Sequence, residues 1–173
     1  MKKANKILSK WLSHDVRIVQ MVPDFERFVD SAYTNAPAVT SFTDGFPLVV
    51  VSTASLQDLN TRLASPLHIS RFRPNLVVEG CLPFDEDTWA QIQIGQVSID
   101  IVKPCTRCTV TTINPDTGTD GPEPLRTLAQ YRQFGGQILF GQNAIHRRAG
   151  TIRAGTQIKV ISTRRPVIEA CSD

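Results

Sequence analysis

The densest chemistry in the chain lies in Pro104-Cys105-Thr106-Arg107-Cys108-Thr109-Val110-Thr111-Thr112, a Cys-x-x-Cys pair with an arginine inside it. Such a pair serves redox exchange, half of a zinc site, part of an iron–sulfur site, or one special thiolate beside a bystander. Each use demands different company. A dithiol oxidoreductase needs its first thiol at a helix N-terminus, where the helix dipole favours the thiolate. Here Thr109 to Ile113 is β-branched almost throughout and predicts a strand instead. A structural zinc site needs four ligands, yet Cys81, Cys171, His14, His68 and His146 are scattered singly. An iron–sulfur site wants more cysteines at tighter spacing. Two thiols packed as small apolar residues is the plain structural alternative.

The pair keeps polar company. Arg107 sits between the thiols, Arg71 and Arg73 lie in Arg71-Phe72-Arg73-Pro74-Asn75, and Asp44-Gly45 ends a long connection. Phe140-Gly141-Gln142-Asn143 forms a polar, glycine-containing element late in the chain. An arginine fork, an amide, a carboxylate and backbone amides near glycine suit a planar, hydrogen-bonding, phosphorylated ligand. A thiolate beside them would be a soft-metal donor. Each residue also has an ordinary structural use: Arg73 in a surface ion pair, Asn75 as a strand-start cap, Asp44-Gly45 as a turn, Gly141 as a bend.

The elements that would hold these residues are mainly strands. Residues 3–13 carry Ile7, Leu8, Trp11 and Leu12 at helical spacing. Val16 to Val22 alternates as a strand, and residues 23–45 make a long irregular connection. Leu48 to Val51 predicts a buried strand, followed by a helix capped by Ser52 or Thr53 with Leu56, Leu59 and Leu63 on one face. Leu76 to Val78 is a strand ending at Gly80, and residues 88–94 and 97–103 predict a hairpin around Gly95-Gln96. Asn114 to Gly118 is a turn, Pro124 to Tyr131 a short helix, and Gly155-Thr156 the tip of a second hairpin flanked by Thr151-Ile152 and Gln157 to Ile161. The fold class expected is mainly β (α+β), barrel-like, with two to three peripheral helices. One domain over residues 1–173 is the economical organisation, with 1–40 as a lead-in helix, strand and loop.

Composition sets the outer limits. At 173 residues, with 41% hydrophobic and 20% charged, the chain can build one substantial core. A net charge of +3 and the lack of recognition aromatics or a basic stripe argue against nucleic acid. No apolar run reaches the roughly 18–20 residues of a membrane helix. The basic opening lacks the apolar core and cleavage site of a secretory signal. Four cysteines are too few for a disulfide scaffold, so reduced thiols in a cytoplasm are expected.

Taken in order, these elements resemble one family. Ser41 to Pro47, Ser52 to Asn60, Arg71 to Val78, Glu86-Asp87-Thr88-Trp89 and Ile94-Gly95 match it, as do Pro104 to Thr112, Pro124 to Leu128, Phe140 to Asn143 and Gly150 to Gly155. The chain resembles the MOSC domain, named for the C-terminal domain of molybdenum cofactor sulfurase. Within it, the branch of bacterial ferredoxin-fused MOSC proteins and the mitochondrial amidoxime-reducing component is the most similar. The resemblance implies a MOSC β fold that binds the molybdenum–pterin cofactor. Cys108 would ligate the metal and be the catalytic residue, with Cys105 as a neighbouring thiol. Asp44, Arg73, Asn75, Thr106, Arg107 and Asn143 would line the cofactor pocket. The activity implied is reduction of N-hydroxylated small molecules, with electrons from a separate ferredoxin- or cytochrome-like protein and no membrane or nucleic-acid partner. A carrier domain that delivers cofactor or sulfur without turnover is the alternative. The family's upstream N-terminal β domain, which adds basic residues for the cofactor's phosphate, is expected to be absent here.

Overall fold

The computed structural model describes residues 2–168; Met1 and residues 169–173, including Cys171, lie outside the described part. Its helices are α1 (Lys2–Leu12), α2 (Thr53–Thr61) and α3 (Leu125–Leu128). Its strands are β1 (Arg27–Phe28), β2 (Val39–Thr40), β3 (Leu48–Ser52), β4 (Leu76–Val78), β5 (Trp89–Ile94), β6 (Val97–Thr106), β7 (Gln133–Phe134), β8 (Gln137–His146) and β9 (Ile158–Thr163). The main sheet runs β4-β3-β8-β6-β5-β9, with β7 paired to β8 and β1-β2 as a separate ribbon. Only β3 and β4 are parallel, and α2 makes the crossover between them. The sheet curls into an open half-barrel with β4 and β9 as its free edges, the mainly β fold expected.

Apolar side chains line both faces of the central strands. Val50, Ile92, Ile99, Ile101 and Ala144 gather in one cluster; Val51, Leu59, Phe72, Leu128 and Phe140 form the other. Adjacent residues Val50 and Val51 point into opposite clusters, which is why β3 reads as an uninterrupted apolar run. Ser52 caps α2 by accepting the Ser55 amide, and α2 lays Leu56, Leu59 and Leu63 on the second cluster.

A buried polar network ties the sheet together. The Asp87 carboxylate accepts from Arg132 Nη2 at 2.6 Å and from Gln142 Nε2 at 2.5 Å. Gln142 Oε1 accepts from Arg164 Nη2 at 2.9 Å, and Arg164 Nη1 donates to the Ile101 carbonyl at 2.9 Å. The turn carrying Asp87 is thereby bonded to β8, and β8 is tied to β6 through the residue just after β9.

Several local expectations fail for identifiable reasons. Val16 to Val22 forms no strand: no sheet edge receives it, and Ile18, Val19 and Val22 remain exposed. The connection over residues 23–45 is irregular as expected, apart from the short β1-β2 ribbon. Thr109–Thr112 is a 3-10 turn rather than a strand. Thr111 Oγ1 donates back to the Cys108 carbonyl at 2.9 Å and Thr112 Oγ1 to the Thr109 carbonyl at 2.7 Å, which overrides β propensity. Helix α3 stops at Leu128 because i→i+3 bonds from Gln130 and Tyr131 tighten the chain there. Thr151-Ile152 makes no hairpin; β9 pairs with β5 instead, and Ile152 packs against the core. The β5-β6 hairpin closes as expected, with Ile94 opposite Val97.

Removing one member of the Asp87–Arg132 pair strands a buried charge. Asp87→Ala is expected to lower stability by about 3–5 kcal/mol in urea unfolding, while Asp87→Ala with Arg132→Met recovers much of that loss. Simple addition of the two single effects would contradict a coupled pair.

Candidate functional site

The thiol pair sits where the sheet gives way to a loop. Strand β6 runs as far as Thr106 and carries Cys105 near its end; Arg107 leaves the strand, and Cys108 caps the turn Thr109–Thr112. Both cysteines are free thiols, Cys105 half-buried and Cys108 exposed. Burial pushes the Cys105 thiol pKa up; Arg107 opposes that shift and Asp44 adds to it.

Arg107 organises this corner. Its backbone amide bonds the Ile138 carbonyl at 2.8 Å, and its Nε donates to the Phe140 carbonyl at 2.7 Å. Nη1 donates to the Phe72 carbonyl at 3.0 Å, while the guanidinium carbon lies 5.3 Å from the Phe72 ring centroid. Nη2 is buried and has no partner among the described residues. Burial lowers the guanidinium's pKa, and the charges of Cys105 and Cys108 act against that shift. An arginine nonetheless remains protonated. The sequence thus places between two thiols a cation whose Nη2 is sealed from solvent and lacks a partner among the described residues.

Gly141 makes room for this arrangement. It lies within β8, at a register slip opposite the stretch from Pro104 to Thr106 of β6. A side chain there would come within 2.7 Å of Val51 Cγ2, 2.8 Å of the Val50 carbonyl and 3.2 Å of Arg107 Nη2. Its φ of +73° adds a second reason for glycine. An isolated glycine in an otherwise apolar, alternating stretch is the signal that could have located this bulge.

The other sequence candidates divide by how free they are. Arg73 is exposed, adopts a left-handed backbone (φ 50°, ψ 48°) and has no side-chain hydrogen bond or ion pair to a described residue. It directly follows Phe72, whose carbonyl Arg107 holds. Asp44 is exposed on a loop folded by Arg27, which donates to the carbonyls of Ser41, Thr43 and Asp44. Asn143 lies opposite both Val49 and Lys103, and its Nδ2 donates to the Pro104 carbonyl at 3.3 Å. Asn75 is engaged structurally: its Oδ1 accepts from the Val49 amide at 2.8 Å, and its own amide donates to the Val49 carbonyl at 2.9 Å. Thr106 donates to Gln137 Oε1 at 2.9 Å. Asn75, just before β4, therefore forms a row with Val49 of β3, Asn143 of β8 and Lys103 of β6, beside the thiol loop. Sequence reasoning missed Lys103 and the two carbonyls that fix Arg107.

The chain is similar in sequence to known proteins. The family model described as MOSC domain matches residues 37–159. Mitochondrial amidoxime-reducing component 1 of Mus musculus is 41% identical over 130 residues, covering 70% of this chain and 38% of that protein. Mitochondrial amidoxime reducing component 2 of Bos taurus is 48% identical over 93 residues, covering 53% of this chain and 28% of that protein. Component 1 of Danio rerio is 33% identical over 172 residues, covering 92% of this chain and 52% of that protein. The chain thus spans between roughly a quarter and a half of these relatives' lengths.

Two outcomes follow from the geometry. Gly141→Ala combines a left-handed backbone with contacts against Val51 and Val50, and is expected to cost about 2 kcal/mol or more in thermal or urea unfolding. A stability unchanged from wild type would refute the close approach. In iodoacetamide labelling followed by peptide mapping, Cys108 reacts first. Cys105 lags and needs more alkaline pH, because its raised pKa delays the thiolate. Equal labelling rates would refute that asymmetry.

Proposed function

The chain belongs to the MOSC domain family, and on that basis we propose that it is the cofactor-holding part of an oxidoreductase acting on N-hydroxylated small molecules. The observation that carries this reading is the exposed Cys108 thiol on a turn held by Arg107, with the exposed Arg73 directly after the Phe72 carbonyl that Arg107 grips. A thiolate open to solvent is a soft-metal donor. An exposed guanidinium without a carboxylate partner, as at Arg73, suits an anionic ligand.

The residues present fit a molybdenum–pterin cofactor. Among the described residues, no three of His, Cys, Asp and Glu gather into a metal cage. The corner offers a metal the exposed thiol of Cys108, so a cofactor that brings its own sulfur ligands suits it better than a bare ion. Cys108 would hold the metal. The unpaired Arg73 would take anionic oxygens, since guanidinium groups recognise them in a fork, and Arg107 would hold the pocket wall behind it. Asp44 would accept from pterin N–H groups. Asn143 retains its amide oxygen as an acceptor, Asn75 its amide nitrogen as a donor, and Thr106 its hydroxyl oxygen as an acceptor.

When bound, the cofactor supplies the redox-active metal at which an N–O bond is reduced. The chain's own contribution is positional. Arg107, pinned by the Phe140 and Phe72 carbonyls, keeps the Cys108 turn, the β8 bulge and the start of the Arg73 segment at fixed spacing. Cys108 stays open to solvent, which leaves a small substrate a route to the metal. Electrons would come from a separate ferredoxin- or cytochrome-like protein. The relatives' names, as amidoxime-reducing components, support the choice of N-hydroxylated substrate.

The test is metal and pterin content after expression in a cofactor-proficient host. Cys108→Ala is expected to lose molybdenum and pterin fluorescence, while Cys105→Ser keeps both. Equal loss in both variants, or molybdenum retained without Cys108, would overturn the ligand assignment. Stoichiometric cofactor without turnover, given a reconstituted electron donor, would favour a delivery domain instead.

A further inference from the structure

Lys103 belongs to the same corner but has no part in the roles above. It lies two residues before Cys105 on β6, at a slip in register: Ile101 faces Ala144, yet Lys103 faces the very next residue of β8, Asn143. The slip breaks the inward–outward alternation of β6. Ile101 is therefore in the core, whereas Val102 and Lys103 are both half-buried. Lys103 is left opposite Asn143, on ground covered by the segment leading into β3.

Two rings from that segment hold its ammonium. Nζ lies 4.3 Å from the Tyr33 ring centroid and 5.9 Å from that of Phe46, and the two rings meet edge to face at 5.8 Å. Ring faces attract a cation but accept few of its hydrogen bonds. No carboxylate among the described residues completes the set. Lys103 belongs to none of the ion pairs Arg62–Asp58, Arg126–Glu123, Arg132–Asp87 and Arg147–Asp100. The neighbouring cations are engaged elsewhere: Arg107 on the Phe140 and Phe72 carbonyls, Arg27 on those of Ser41, Thr43 and Asp44, and Arg71 on that of Thr112. Lys103 and Arg73 are left to meet an incoming anion. The rings also fix the lysine rotamer in advance, which lowers the ordering cost of binding.

We propose that Lys103, boxed by Tyr33 and Phe46 and facing Asn143, is an anion-recognition residue that takes a carboxylate or phosphate group of the molecule seated against Cys105. The cofactor reading matters only for which molecule carries that group. The ammonium's position and its lack of an acidic partner do not depend on it. A lysine here, rather than a second arginine, suits a single point-charge contact instead of a fork.

The experiment is an NMR titration of protein carrying 13C-enriched lysine. The Lys103 signal is identified by its loss in Lys103→Met. It should stand apart from the other lysines through the ring current of Tyr33 and return to their range in Tyr33→Leu. Inorganic phosphate and benzoate are then added separately. The expected result is a saturable shift of the Lys103 signal at millimolar ligand, while the exposed lysines of α1 do not saturate. Saturation by phosphate alone identifies a cofactor-type phosphate, by benzoate alone a substrate-type carboxylate, and by both a general anion site. A Lys103 signal without the ring-current shift, or one that follows both anions no more than the α1 lysines do, overturns the proposal. The titration needs no cofactor and no turnover, so failure of the reductase reading leaves its outcome intact.

Discussion

One buried cation governs the geometry of this corner. Arg107 reaches from the thiol loop to two backbone carbonyls that are distant in sequence, one on β8 and one at the end of the turn before Arg73. A guanidinium removed from water must find acceptors, and the dipoles of those carbonyls supply two of them. That requirement fixes how far Cys108 stands from β8 and from Arg73. It also leaves Nη2 sealed from solvent, with no partner among the described residues. Much of the local architecture serves to make room for this residue.

The β6–β8 pairing supplies that room by departing from regular register in two places. The slip at Val102 turns Lys103 outward, and the slip at Gly141 lets Arg107 lie against the backbone of β3 and β8. Bulges of this kind re-aim side chains without ending a strand. Between the two slips, Gln142 faces the other way and joins the buried network with Asp87, Arg132 and Arg164. Successive residues of one strand thus serve different ends: Gly141 the thiol corner, Gln142 the internal brace, Asn143 the row that runs to Lys103. A substitution in the brace is therefore positioned to disturb the site without touching it.

Much of this was legible in the sequence, and the gaps have physical causes. The β5-β6 hairpin, the β3-α2-β4 unit and the cap at Ser52 followed from alternation, a tight turn and capping chemistry, all of which are local. Cys108, Arg73, Asp44 and Arg107 were marked by residue type and by their order along the chain. The Thr109–Thr112 turn was misread because threonine hydroxyls can bond back to the chain, and propensity does not register that choice. Strand β8 was read only as a polar, glycine-containing element at 140–143, because its bulge interrupts the alternation that would have revealed it. The Asp87 network and the Arg107 anchors could not be read at all, because their partners are many tens of residues apart. Asn75, chosen as a ligand residue, spends its carbonyl oxygen and its backbone amide on β3.

The central claim is that Cys108 supplies the protein's own bond to the metal while Arg107 and its neighbours seat the organic part. X-ray absorption at the molybdenum edge tests it most directly, on the cofactor-loaded protein and on Cys108→Ser loaded in the same way. The account predicts that the wild-type metal has one more sulfur neighbour than the variant metal, with the remaining sulfur shell unchanged. A sulfur count that stays the same when Cys108 is replaced, or a wild-type chain that takes up no molybdenum, would contradict it.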